Sequence, residues 1–413
     1  MIEATLMPSA AADRHWHAVV IGAGPAGSAA AIRLARAGRR VLLVDRATMP
    51  REKVCGCCLS PTAIAELESL DAFAEGAVRP VPLEAVELLS RGQAARLPLA
   101  GATLSRESLD TTLVARAIHT GADWLPQATV TAITEATDRV RLTLRPAATL
   151  DAAVAVEANH AVIATGLADH VRIASIEAAS RPVHRRKPRR LIAAESRIGV
   201  GLSLPATASD LAAGTLVMAV GRGGYAGIVR LEDGRIDVAA ALEPQAVARA
   251  GRPHAAIAAL LQESLSAAGL RLDIAAVNAA HVRATPALTH RAPLVAGSQG
   301  RLCRIGDAAG YVEPFTGEGM GWALVSGRLL AEAILAGGSP AAIASDFARG
   351  HDHFFASHHA RCRRVALAVR HPWLVGAAIR LARFAPGIAA GVMPLVVGTP
   401  PAAPAATFRE AAA

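Results

Sequence analysis

Apolar residues recur along this chain in two rhythms. Residues 17–21, 41–44, 160–164 and 301–305 are short, largely apolar runs of strand length, the pattern of strands buried on both faces. Alanine-rich stretches with helical spacing follow the first and last of them, ending near Gly38 and Ala336. Residues 106–121 read as another helix and 55–78 as a helical excursion, with further strand signals near Val130 and over 140–144. From about Arg172 to Arg283 the pattern alternates instead. There, residues 225–231 and 235–242 flank Glu232-Asp233-Gly234, a hairpin signal because glycine tolerates the positive φ of a tight turn. Residues 80–100 carry similar short alternating runs. The pattern predicts a layer of buried strands entered three times, over 17–79, 101–171 and 285–340. A second, antiparallel sheet occupies 80–100 and 172–284. Residues 1–16 read as a disordered tail and 341–413 as a C-terminal helical segment.

The turn after the first strand is Gly22-Ala23-Gly24-Pro25-Ala26-Gly27. Gly22 permits the turn, Gly24 lets backbone amides approach a pyrophosphate, and Gly27 lets the following helix press onto the strand. Pro25 suits the first helical turn, whose unpaired N–H groups attract phosphate. The second strand delivers Asp45 about 20 residues past the glycines, where an acid takes the ribose hydroxyls of an adenine dinucleotide. A lone glycine pattern is a weak signal. Strand, glycines, helix, strand and terminal acid in this order are a specific one, and they imply an α/β protein with a Rossmann-type domain.

A second cluster, Gly306-Asp307-Ala308-Ala309-Gly310, follows the strand at 301–305, and Gly317-Glu318-Gly319-Met320-Gly321 opens a further helix. Ligands of open α/β sheets collect at the carboxyl ends of strands, so Asp307 is placed for a second hydroxyl-bearing segment of the same long cofactor. The bare amino end of the later helix favours negative charge on a reduced flavin ring. Two clusters serving one molecule point to FAD rather than NAD.

The segment GDAAGYVEPFTGEGMGWAL at 306–324 resembles the carboxyl-proximal flavin motif of a superfamily. Its members include aromatic hydroxylases of the para-hydroxybenzoate hydroxylase type, geranylgeranyl reductases and flavin-dependent halogenases. Pro50-Arg51-Glu52-Lys53-Val54-Cys55-Gly56 is similar to the PRxKxCG segment of the reductase and halogenase branches. Residues 106–113 resemble the RxxxDxxL helix start that lies near the cofactor. The resemblance spans most of residues 17–340. It implies cofactor contacts at Gly22, Gly24, Pro25, Ala26, Gly27, Asp45, Arg46, Arg51, Cys55, Gly56, Arg106 and Val130. It extends them to Ala164, Gly166, Gly306, Asp307, Gly317, Gly319 and Met320. Two departures narrow the reaction. Residues 225–230 replace the tryptophan motif of the halogenases, which argues against halogenation. Ala164-Thr165-Gly166 stands where hydroxylases carry an aspartate-glycine motif, which argues against their manner of binding nicotinamide.

Composition adds limits. Lysines and arginines number 43 against 34 acids, but aromatics make up only 3% and no nucleic-acid-binding fold shows, so the excess does not imply a nucleic-acid partner. The basic run at 181–190 reads as a solvated connector. Five cysteines, three of them at Cys55, Cys57 and Cys58, describe no disulfide framework and fit a reducing compartment. With no charged leader at the amino end, a cytoplasmic location is expected. The apolar run at 384–397 is interrupted by Pro386 and Pro394 and falls short of the roughly 20 residues of a spanning helix. Together with 373–379 it reads either as a peripheral membrane contact or as a layer over the substrate channel. His351, His353, His358 and His359 read as an exposed helix face, and no metal site is expected. No pattern speaks to oligomeric state.

FAD carries the electron chemistry, while the protein supplies orientation, charge and water exclusion. By family position Cys55 is the side chain expected nearest the flavin ring, with Tyr225 and Glu318 as candidates to provide or orient a proton. Cys55 and Cys58 also form a CxxC spacing, so a redox dithiol stands beside a plain packing role. PRxKxCG and the apolar tail imply a geranylgeranyl reductase-like hydride transfer from reduced flavin to a double bond of an apolar isoprenoid or polyketide-like substrate. NADH or NADPH is the expected transient electron donor. Two alternatives stand: an NAD(P)H monooxygenase of aromatic or polyketide substrates, and a non-enzymatic lipid-binding carrier of the same fold.

Overall fold

The computed structural model describes residues 1–74, 76–147, 153–168, 171–175, 191–265, 268–313, 315 and 317–385. The chain begins with α1 (Pro8–Ala12), β1 (His15–Ile21), α2 (Pro25–Arg36), β2 (Val41–Val44), β3 (Cys58–Leu59) and α3 (Pro61–Ser69). It continues through β4 (Val81–Ser90), β5 (Gln93–Thr103), α4 (Arg106–His119), β6 (Asp123–Leu125), β7 (Ala128–Glu135), β8 (Val140–Pro146) and β9 (Val154–Ile163). Next come β10 (Arg172–Ser175), β11 (Leu191–Ile192), β12 (Ile198–Leu204), β13 (Thr215–Gly221), β14 (Gly224–Arg230) and β15 (Ile236–Leu242). The helices α5 (Pro244–Ala250), α6 (Pro253–Leu265) and α7 (Ile274–Ala279) precede β16 (Arg283–Ala287), β17 (His290–Arg291), β18 (Leu302–Arg304) and β19 (Gly310–Tyr311). Three helices close the described chain: α8 (Gly319–Ala336), α9 (Pro340–Ala368) and α10 (Pro372–Phe384).

In the first sheet β9, β1, β2 and β6 lie parallel side by side, and β18 joins the far end of β9. β7 and β8 extend it as an antiparallel pair, and β10 runs parallel to β7 at that edge. β2 and the end of β1 are buried throughout, which is why they read as continuous apolar runs. Helices α2, α4 and α8 cover one face through small buried residues, among them Ala26, Ala29, Ala30, Ala117 and Ala331. Register aligns the strand ends. Ile21 pairs with both Val44 and Ile163, and Arg304 pairs with Ile163. The chain therefore leaves the sheet at Gly22, Asp45, Ala164 and Ile305 along one carboxyl edge.

The second sheet runs β16-β12-β15-β14-β13-β4-β5-β3 and is antiparallel except where β13 lies beside β4. The hairpin legible at 225–242 forms, with Arg230 opposite Ile236. α6 and α7 pack on one face of this sheet, and α10 crosses β4 and β5 on the other. Among the described residues α8 is long and apolar enough to cross a membrane, but α2, α3 and α9 bury it as a core helix.

Four expectations differ from the structure. Residues 1–16 are not a disordered tail. Thr5 hydrogen-bonds the backbone of Trp124 on edge strand β6, Ile2 N–H reaches the Met49 carbonyl at 3.1 Å, and the buried Trp16 indole donates to Ala11 at 2.9 Å. An open strand edge and a buried indole both need partners, and this segment supplies them. β10 belongs to the first sheet rather than to the substrate region from residue 172 onward, because it pairs with β7. Cys58 and Leu59 belong to the second sheet, where they pair with the end of β5 at Thr103 and Ala102. That sheet also keeps the chain to Ala287 through β16. The basic run at 181–190 and the apolar run beyond residue 385 lie outside the described residues.

Candidate cofactor and active site

The glycine turn is built for close approach. Gly22 has φ +107°, and a Cβ there would sit 2.4 Å from the Ala164 carbonyl oxygen. A Cβ on Gly27 would lie 1.9 Å from the Gly22 oxygen, so strand and helix meet as closely as backbones allow. Pro25 and Ala26 open α2 directly after Gly24. Asp45 is buried at the end of β2, where Oδ2 accepts from Ala23 N–H at 2.8 Å and Oδ1 from Ala47 N–H at 3.0 Å. Arg46 is exposed beside it. Val130 lies in the buried interior of β7, whose first residue, Ala128, donates to the Asp45 carbonyl.

Gly24 is different: the place of its missing side chain is bounded by cations rather than by backbone. The nearest atoms to a Cβ there are Arg106 Nη2 at 3.7 Å, Arg51 Nη2 at 3.9 Å and Lys53 Nζ at 3.9 Å. Ser105 caps α4 by accepting from Ser108 N–H, which fixes Arg106 at the first turn with Asp110 one turn on. Asp110 is fully buried and takes two hydrogen bonds of 2.9 Å from Arg106 and two, of 3.3 and 3.4 Å, from Arg51. Arg51 also pairs with Asp45 at 2.6 Å. Burial alone would raise the Asp110 carboxyl, but Arg106, Arg51 and Lys53 hold it below its ordinary value. Lys53 goes the other way. Burial, then Arg51 and Arg106, lower its ammonium to about 8. Three cations against two carboxylates, gathered at a glycine at a helix amino end, fit the pyrophosphate of an adenine dinucleotide. Sequence reasoning gave Lys53 no role. Its place two residues after Arg51, inside the PRxKxCG segment, is the signal that points to it.

The second cluster meets the first. Gly306 follows β18 and donates its N–H to Ser326 Oγ of α8 at 3.0 Å. The Asp307 carbonyl accepts from His290 Nε2 at 2.9 Å. Gly317 and Gly319 bring the chain to the bare amino end of α8, which carries no side-chain cap. Gly166 turns the chain after β9 with φ +70°. The loop carrying Cys55 and the exposed Gly56 lies against α8, with Cys55 Sγ 3.9 Å from Met320 Sδ. The Cys55 thiol is lowered to about 6, chiefly by its hydrogen bond with Cys57, against burial and with help from Arg106. Its partner is not Cys58, as the CxxC spacing suggested. Cys57 adopts a left-handed backbone, φ +52°, and directs its N–H to Cys55 Sγ at 3.4 Å, while Cys58 Sγ turns to the Gly56 carbonyl at 3.0 Å.

Tyr225 and Glu318 are not brought to Cys55 by any described contact. Tyr225 is buried edge-on to Phe315 at 4.9 Å, with the Arg197 guanidinium 5.5 Å over its ring. Burial pushes its hydroxyl up, and Glu313 adds to the shift. Glu318 ties α8 to α9 through Arg361 at 3.4 Å and the Cys362 thiol at 3.8 Å.

A cavity of about 470 Å³ opens beside these glycines, lined by Gly306, Asp307, Ala309, Gly319 and Trp322 on one side and by His351, Phe355 and His359 of α9 on the other. The histidine cluster is therefore not a solvated face as a whole. His353 is exposed, but His351, His358 and His359 pack against aromatic rings. Among the described residues no group of His, Cys, Asp and Glu is arranged to hold a metal ion.

Known proteins share both the sequence pattern and the fold. The profile of the pyridine nucleotide-disulphide oxidoreductases matches residues 16–197. A menaquinone reductase of Mycolicibacterium smegmatis is 30% identical over 375 residues, covering 86% of this chain and 84% of that protein. A geranylgeranyl bacteriochlorophyll reductase-like protein from Thermoplasma acidophilum superposes with a TM-score of 0.68 at 17% identity, over 92% of this chain and 99% of its own. A flavin-dependent brominase superposes with a TM-score of 0.71 at 17% identity, over 93% and 94%. At such identities the structural likeness concerns the fold.

Proposed function

The chain belongs to the FAD-dependent oxidoreductases of the geranylgeranyl reductase and para-hydroxybenzoate hydroxylase-like superfamily, and on that premise we propose that it reduces a carbon–carbon double bond of an apolar isoprenoid substrate. The observation that carries this reading is Cys55, an ionisable thiol held against Met320 at the amino end of α8, with Arg106 and Cys57 beside it. The menaquinone reductase relative supports the substrate class. When bound, FAD supplies the hydride, with NADH or NADPH as the electron donor of this reading.

The chain's own residues do the rest. Asp45 takes the ribose hydroxyls, and Arg51, Lys53 and Arg106 neutralise the pyrophosphate over Gly24. The amino end of α8 stabilises negative charge next to Gly319. Cys55 Sγ, ionised above about pH 6, holds a negative charge beside Met320 rather than a transferable proton, so the proton that follows the hydride onto the substrate carbon comes from solvent. Trp373, Leu381 and Phe384 on α10 are 56%, 53% and 88% exposed, flanked by Arg380 and Arg383. An apolar face rimmed by cations supports substrate uptake at an anionic membrane surface.

The test is anaerobic stopped-flow. Protein reduced with NADH, NADPH or dithionite should be reoxidised by an isoprenoid quinone without oxygen. Product formation that strictly requires oxygen overturns the reading in favour of a monooxygenase.

A further inference from the structure

The loop that carries Cys55 packs on the second sheet. A Cβ on Gly201 would lie 3.3 Å from Val54 and one on Gly56 4.0 Å from Ala239, and Cys57 is buried against Val229 and Leu231. One acid stands in this apolar contact. Asp237 on β15 lies opposite Ser203 on β12 and Val229 on β14, while Ile236 and Val238 on either side of it enter the core on the other face. The Cys57 thiol hydrogen-bonds its carboxyl.

The surroundings of Asp237 are those of an uncharged acid. Its Oδ2 is shielded from solvent and accepts no hydrogen bond, and Ser203 Oγ across the strand pair is equally shielded and unpartnered. The guanidiniums of the same cleft are committed elsewhere, Arg235 to Glu107, Glu52 and Asp233, and Arg283 to Glu52. Of the remaining cations there, Arg106 holds Asp110 and Lys53 lies over Gly24. Cys55, Cys57 and Cys58 complete the titratable groups that face it. A buried carboxylate oxygen with no donor is costly, whereas a protonated carboxyl needs only an acceptor for its O–H, and Ser203 Oγ is free to serve. Burial, then the Cys55 charge, push the carboxyl well above its ordinary value, with Glu107 adding to the shift and the Cys57 hydrogen bond and Arg235 opposing it. Cys57 is raised likewise, by its hydrogen bond with Cys55 and by burial. Cys55, Cys57 and Asp237 in a row thus hold two protons and one negative charge.

We propose that Asp237 is a positioning residue that holds a proton behind Cys57 and fixes that thiol toward Cys55, so that the one negative charge of the buried trio rests on Cys55 Sγ. The inference rests on the reading of Cys55 as the charged side chain of the active site and deepens it by naming the acid that keeps the charge there.

The experiment is alkylation of the FAD-loaded protein with iodoacetamide across pH, read at Cys55 by mass spectrometry, together with infrared spectra at neutral pH. Asp237→Ala should raise the Cys55 midpoint by about one pH unit, the worth of one hydrogen bond. Asp237→Asn, neutral and of the same shape, should leave it near 6. The infrared difference between parent and Asp237→Asn should carry the carbonyl band of a protonated carboxyl. An unmoved midpoint in Asp237→Ala overturns the proposal, and so does a rise of equal size in Asp237→Asn, which would make the effect one of packing. A midpoint that falls in Asp237→Asn, or the absence of the infrared band, overturns it by showing a carboxylate at this position. Should Asp237→Ala fail to fold, Asp237→Asn and the infrared band decide alone. None of these measurements needs a substrate. The expected outcomes in a protein that no isoprenoid quinone reoxidises anaerobically uphold the role of Asp237 and remove the reductase reading alone.

Discussion

Lys53 gives FAD binding a pH dependence whose sign and size come from its surroundings. Its ammonium faces Gly24 beside Arg51 and Arg106, and burial with those two guanidiniums lowers its pKa from 10.5 to about 8. A pyrophosphate seated among the three cations would oppose both causes and return the value toward 10.5. The bound-state pKa is then the higher one, so binding is strongest below about pH 8 and weakens as pH rises from there toward the bound value. Taking 8 and 10.5 as the limits, linkage makes Kd roughly 30-fold larger at about pH 9.5 than at about pH 7. Lys53 keeps contact with solvent at the mouth of the cleft, and screening there reduces the expected ratio to about ten-fold. Cys55, already ionised above about 6, adds no slope in this window. Apoprotein titrated with FAD, followed by quenching of flavin fluorescence, gives Kd at each pH, and calorimetry in two buffers gives the proton uptake. Lys53→Met should bind more weakly at neutral pH and show a flat profile. A flat profile in the unmodified protein, or an unchanged slope in Lys53→Met, would refute the placement of the pyrophosphate at Gly24.

Three further changes have readable outcomes. Gly27→Ala puts a Cβ 1.9 Å from the Gly22 oxygen, and backbone on both sides leaves no room to relax, so a cost above about 3 kcal/mol is expected. Thermal melting and the flavin content of the purified protein measure it, and a melting point within a few degrees of the parent contradicts it. Asp110→Asn leaves Arg106 and Arg51 without their buried carboxylate and should cost about 3–5 kcal/mol by urea unfolding. Because the Asp110 pKa is depressed in the fold, its contribution is present above the unfolded-state value and disappears as pH falls through the folded one, so parent and variant should converge in acid. Cys55 should alkylate with iodoacetamide with a midpoint near pH 6, and Cys57→Ala should move that midpoint upward by removing its principal hydrogen bond. An unmoved midpoint assigns the low value to Arg106 instead.

The parallel half of the fold was legible because its strands are buried on both faces and its turns are fixed by glycine. Neither property depends on the rest of the chain. The amino-terminal segment was not legible for the opposite reason. It is ordered by what it covers, the edge of β6 and the Trp16 indole, and a short alanine-rich stretch with one proline announces neither partner. β10 was drawn into the wrong sheet because its four residues carry no periodicity of their own. Pairing with the distant β7, Arg172 opposite Ala132, decides their place.

The candidate site divides along the same line. Asp45 and Asp307 converge because each follows a strand whose register is locked to β9 or β1, so spacing along the chain was enough to bring them to one edge. Lys53 escaped because a lysine in a loop is ordinarily solvated, and only the fold sets it beside Arg51 and Arg106 over the same glycine. The CxxC spacing offered Cys58 as a partner of Cys55 beside a plain packing role, whereas one left-handed residue at Cys57 turns its backbone N–H to Cys55 Sγ instead, a backbone choice that side-chain chemistry does not encode. The histidines of α9 show the remaining gap. Helical spacing fixes which residues share a face, but whether that face meets water or a cavity depends on what packs opposite, and here Trp322 of α8 turns an apparently solvated stripe into the wall of a cavity.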